Sequence, residues 1–140
     1  MRVSKGSTVE TEVANVFSNL ILDVEDLDRS LAFYSGLLHL QIRRQDTWQG
    51  HRLAYLDAGP TEILLVQQPK HEQNPMLDRS GGLVLNFRVQ NIHEVAKTLT
   101  SKNVHVLRGL EEALWGERTL LVADPDGYAV LLTERAETVH

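Results

Sequence analysis

The sequence contains no cysteine, which excludes disulfide bridges, a thiolate nucleophile and cysteine-based metal centres. That fits a reducing compartment. No apolar run approaches the roughly 20 residues needed to cross a bilayer as a helix. The opening residues, Met1 to Glu10, also lack the apolar stretch of a secretory signal. The expectation is a cytoplasmic chain whose residues 1–14 form a loose polar tail. Lys and Arg nowhere form a block, and the formal net charge is −5. No nucleic-acid or membrane partner is therefore expected, whereas a cationic or neutral small ligand is compatible. There is no Gly-rich phosphate loop, and Ser18, Ser30 and Ser35 have no evident histidine partner, so no nucleophile–base arrangement emerges.

What the chain does have is a repeat of itself. Residues 20–43, moved forward by 65, fall on residues 85–108 with their pattern preserved. Leu20 and Leu22 land on Leu85 and Phe87, and Val24, Asp26 and Leu27 land on Val89, Asn91 and Ile92. Two copies are too few for a solenoid, so the repeat predicts two modules packed together around a cleft.

Each copy predicts the same order of elements. Leu20, Leu22 and Val24 alternate with Asn19, Ile21 and Asp23, the period of a strand with two unlike faces. Asp26 is placed to cap a helix carrying Leu27, Leu31, Tyr34 and Leu38, which Gly36 and the turn around His39 would end. Strands are predicted at Gln41–Arg44, Arg52–Leu56 and Glu62–Gln67. In the second copy, Leu83–Val89 is a strand, Asn91 caps a helix with Ile92, Val95 and Leu99, and Val104–Leu107 is a strand. Arg118–Ala123 and Ala129–Thr133 form a hairpin across Asp124-Pro125-Asp126-Gly127, where Pro125 presets φ and Gly127 supplies a permissive backbone. The fold class is thus α+β, with two βαβββ modules in tandem. The domain would span 15–135, with module one at about 15–68, a linker at 69–82 and module two at 83–135. One helix covers one face of each sheet, and that face should hold Leu20, Leu22, Val24, Leu83, Leu85, Phe87 and Val89.

This order, with Val24-Glu25-Asp26-Leu27-Asp28-Arg29-Ser30, Phe33-Tyr34 and Asp124-Pro125-Asp126-Gly127-Tyr128, resembles the vicinal-oxygen-chelate superfamily of glyoxalases, dioxygenases and bleomycin-resistance proteins. The resemblance covers roughly residues 15–135. It implies a cupped, partly open mixed β-barrel around a small-molecule site, commonly in a homodimer. Trp115-Gly116 looks most like the resistance and binding-protein branch. Metal-using members hold a divalent ion with His, Gln or Glu at four inward positions, which the flanking motifs place here at Asn19, Leu64, Val84 and Leu131. Three of these are aliphatic and the fourth is a neutral amide, so neither metal nor other cofactor is expected.

The opposite faces of the strands then carry Ile21, Leu64, Val66, Val84, Ala129 and Leu131 as an apolar wall. Among them stand Asn19, Asp23, Glu62, Asn86, Arg88 and Thr133, the usual make-up of a small-molecule site. Trp48 and Trp115 each precede the third strand of a module, where their faces could stack a planar or cationic ligand, and His51 has a chance of facing the same cleft. The leading expectation is a binding protein that sequesters an organic molecule, as antibiotic-resistance proteins of this type do. The alternative is a metal-independent lyase, isomerase or cyclase with Glu62 or Asp23 as base. A metal-dependent glyoxalase or dioxygenase fits the residues less well.

Overall fold

A computed structural model describes residues 17–67, 82–112 and 116–135. The polar tail and most of the connector between modules lie outside these residues, as does Trp115. The order is β1 (Leu20–Val24), α1 (Leu27–Leu31), β2 (Gln41–Trp48), β3 (His51–Ala58), β4 (Thr61–Gln67), β5 (Val84–Arg88), α2 (Ile92–Ser101), β6 (Val106–Glu112), β7 (Arg118–Ala123) and β8 (Ala129–Glu134). Two mixed four-stranded sheets result, ordered β1-β4-β3-β2 and β5-β8-β7-β6. In each, the first strand runs parallel to the last and the others are antiparallel. No strand pairing joins one sheet to the other among the described residues, so no closed barrel forms.

Alternation decides the faces. Leu22, Val24, Ala54, Leu56, Ile63 and Leu65 of the first sheet are buried together with Leu85, Leu120, Val122, Val130 and Leu132 of the second. These residues form one core with Leu27, Phe33, Tyr34, Ile92 and Leu99 from the helical segments. Leu83, expected on that face, precedes β5 and is exposed. With no strand partner there, the pleat no longer aims it at the core.

Asp26 caps α1 as its sequence position suggests, accepting a hydrogen bond from the Arg29 amide at 3.2 Å. Gly36 does not end the helix. The chain continues through Ala32–Leu37 as a π-helical turn, with the Leu38 amide donating to the Phe33 carbonyl. The reversal falls at His39, in left-handed conformation.

Asn91 also departs from expectation, since it sits at φ 54° and its side chain caps nothing. The amide of Ile92 donates instead to Glu134 Oε1 at 3.1 Å. The first module does the same, with the Leu27 amide donating to Gln67 Oε1 at 2.6 Å. Because the first and last strands of a module are neighbours, the last residue of the module reaches the start of its helix. Gln67 and Glu134 are repeat mates, so one device caps both helices.

The two modules are riveted at one end of their seam by the β7–β8 turn. Asp124, only 5% exposed, accepts the Tyr34 hydroxyl at 2.6 Å on one oxygen. Its other oxygen accepts the amides of Asp126 and Tyr128. Asp126 accepts the Glu25 amide at 2.9 Å, and the Tyr128 hydroxyl donates to the Asp23 carbonyl at 2.9 Å. The Asp-Pro-Asp-Gly-Tyr stretch thus makes a hairpin turn and also fastens module two to the β1–α1 junction of module one.

Candidate functional site

The faces turned away from the helices are open, with Ile21 59% and Val84 54% exposed. On the first sheet, a cavity of about 470 Å³ is lined by Asp46, Thr47, Trp48, His51, Leu53, Tyr55, Leu64 and Val66. Its size is that of a small-molecule pocket.

Its aromatic wall follows from a tight turn. Strands were expected at Gln41–Arg44 and Arg52–Leu56, but β2 runs to Trp48 and β3 starts at His51. Gln49 and Gly50 both have positive φ, the requirement of a two-residue type I′ hairpin whose twist matches the flanking strands. Trp48 and His51 are therefore a cross-strand pair, with ring centroids 6.3 Å apart and planes inclined by 25°. His51 Nδ1 is buried and has no hydrogen-bond partner among the described residues. His51 lines the cavity.

Below the turn, a bulge between Ile42 and Arg44 sets two arginines on the sheet. Arg44 stacks over the Tyr55 ring, 4.3 Å from its centroid. Arg43 pairs with Asp57 and with Glu62, at 3.1 Å in each case. Glu62 accepts from Asn19 on its other oxygen at 3.3 Å. Both oxygens are engaged, which weighs against Glu62 as a general base. Sequence reasoning did not single out Tyr55, Leu53, Arg43 or Arg44. The parity of β3 places His51, Leu53 and Tyr55 on one face and was available from the sequence, whereas the bulge was not.

The remaining candidates fall elsewhere. Ile21 and Asp23 lie on β1 opposite Leu64 and Val66, beside the cavity but not in its lining. Val84, Asn86 and Leu131 share the open face of the second sheet. Asn86 is exposed and its Oδ1 accepts from the Thr133 hydroxyl at 2.9 Å. Arg88 lines a different cavity, beside α2. The structure thus brings together Trp48, His51 and Leu64, and among the described residues Asn86, Arg88 and Leu131 do not line their cavity.

The family likeness implies a divalent ion at Asn19, Leu64, Val84 and Leu131, and the residues do not fit one. Three offer no lone pair, and the amide nitrogen of Asn19 is turned to Glu62. No group of three or more His, Cys, Asp or Glu side chains suited to a metal ion occurs among the described residues. No helix among them is long and apolar enough to cross a membrane.

Two βαβββ units sharing one core define a class of paired-module α+β proteins. Residues 17–132 match the Glyoxalase/Bleomycin resistance protein/Dioxygenase superfamily, and the chain belongs to it. A glyoxylase/bleomycin resistance protein/dioxygenase domain from Frankia sp. EAN1pec is similar, with TM-score 0.70 and 21% identity over 92% of this chain and 97% of that one. The trypanothione-dependent glyoxalase I of Leishmania major gives TM-score 0.69 and 24% identity over 86% of this chain and 87% of that one. A glyoxalase family protein from Enterococcus faecalis gives 0.66 and 20% over 86% and 98%. At such identities the likeness is one of fold.

Proposed function

We propose that this chain binds a flat organic molecule, neutral or cationic, on the open face of its first sheet and holds it without a metal ion. The observation that carries the reading is the cavity in which Trp48, His51 and Tyr55 stand over an apolar floor of Leu53, Leu64 and Val66. Asp46 at its edge supplies a carboxylate for a cationic ligand. The aliphatic residues at three of the family's metal positions support sequestration over metal-assisted chemistry. Trp115 and Asn86 are proposed to contact ligand from opposite sides of the second module's cup. Because the described residues that line the cavity all belong to the first module, a second copy of the chain is the proposed cover, completing the site in a homodimer.

Calorimetric titration with the planar cation 9-aminoacridine tests this. Saturable binding is expected, and Trp48→Ala and Trp115→Ala should each weaken it about tenfold, the value of one stacking contact. Absence of binding, or unchanged affinity in both variants with the fold intact by circular dichroism, overturns the reading. Sedimentation should give twice the 15.8 kDa chain mass, and a monomer at micromolar concentration removes the dimer.

A further inference from the structure

The seam between the modules has two ends, and they are built differently. At one, Tyr34, Tyr128, Asp124 and Asp126 close it with hydrogen bonds. At the other, a cavity of about 550 Å³ separates residues 36–40, which end the first helical segment, from residues 87–99 of β5 and α2. Among the described residues, no hydrogen bond crosses that gap. This cavity lies on the helix side of the sheets, away from the site proposed above.

Its interior is apolar, formed by Leu37, Leu38, Leu40, Phe87, Val95 and Leu99 over the buried Leu132. Its rim is polar and carries one cation, Arg88, and one carboxylate, Glu94, beside the imidazole of His39. Arg88 and His39 both line it, and neither has a carboxylate partner among the described residues. The one rim carboxylate, Glu94, lies 3.8 Å from Lys97. Both rims are held by non-glycine residues in the left-handed region, His39 at φ 67° and Asn91 at φ 54°. Such backbone persists where the surrounding structure enforces it, and it collects at binding sites. Between the rims the π-helical turn presents Gly36, where an added Cβ would meet no atom nearer than 4.0 Å.

We propose that this cavity is a second ligand site, which takes an amphipathic carboxylate with its hydrocarbon chain among Leu37, Val95 and Leu99 and its head group at Arg88 and His39. An apolar chamber of this size with a cationic mouth complements a medium-chain fatty acid in both shape and charge. A neutral chain of equal length would fill the same space and forgo the charge-assisted contact at the mouth.

Methyl-detected NMR of the full chain, titrated with decanoate, tests the proposal. Saturable shifts are expected at the methyl groups of Leu37, Val95 and Leu99. Decanol should bind about tenfold more weakly, and Arg88→Gln should erase that difference. Gly36→Leu should fill the chamber and abolish the shifts, with Thr98→Phe as a second plug from the opposite wall. Calorimetry with 9-aminoacridine on the plugged variants should match the unmodified chain. Shifts confined to Leu53, Leu64 and Val66, or no shifts at all, overturn the site. Equal affinity for decanol and decanoate overturns the anionic head group.

Discussion

Replacing Asp124 by alanine is expected to destabilise the protein by about 3 kcal/mol or more, an effect readable in urea denaturation. This carboxylate is buried and accepts the Tyr34 hydroxyl and the amides of Asp126 and Tyr128. Hydrogen bonds to a charged group each contribute about 1.5–3 kcal/mol, and truncation also leaves the buried Tyr34 hydroxyl unpaired. Tyr34→Phe should cost less, since it removes one donor and leaves Asp124 two others. Burial, reinforced by the charge and hydrogen bond of Asp124, pushes the Tyr34 hydroxyl well above its ordinary value of 10.0. The folded state therefore keeps this proton at pH values where the unfolded chain has lost it. The associated stability is fully present below about pH 10 and declines as pH rises beyond it. Tyr34→Phe should flatten that alkaline decline. An identical decline in both proteins would show that Tyr34 does not cause it.

The adjacent residues Leu64 and Leu65 should respond to alanine in opposite ways. Leu65 is 0% exposed on the helix-covered face, where loss of a leucine side chain costs about 2–5 kcal/mol in transfer and cavity terms. Leu64 lines the open cavity beside Val66 and Tyr55 and is half-buried. Leu64→Ala should change stability by less than about 1 kcal/mol, yet weaken 9-aminoacridine binding several-fold by thinning the floor. Equal destabilisation would mean that the two faces are not distinct in solution. Undiminished binding in Leu64→Ala would remove that residue from the site.

Much of this architecture was legible in local pattern. The alternation through Leu20–Val24 gave the buried face of β1, because successive side chains on a strand point to opposite sides. The repeat at offset 65 gave the module count and the matching of β1 with β5. The sequence also marked Asp26 as a cap, and its side chain accepts the Arg29 amide. In each case the property depends on neighbours close along the chain.

What escaped was set by residues distant in sequence or by backbone detail. Asn91 looked like a cap by type and position, but the end of β8 lies next to the start of α2 and Glu134 occupies that role. The Gln49-Gly50 turn lengthened two strands, because a type I′ pair needs only two residues where composition suggested a longer loop. Asp124-Pro125-Asp126-Gly127 was readable as a turn, whereas its hold on Tyr34, 90 residues away, was not.

The sequence by itself determined two βαβββ modules, the polarity of their sheets and the aliphatic character of the family's metal positions, since composition and periodicity are local. Only the tertiary structure decided that Trp48, His51 and Leu64 share one cavity while Asn86 and Arg88 stand apart from it. Which side chains converge depends on strand register, a bulge and the packing of one module on the other. Those are fixed by burial of the common core, and no window of the sequence contains it.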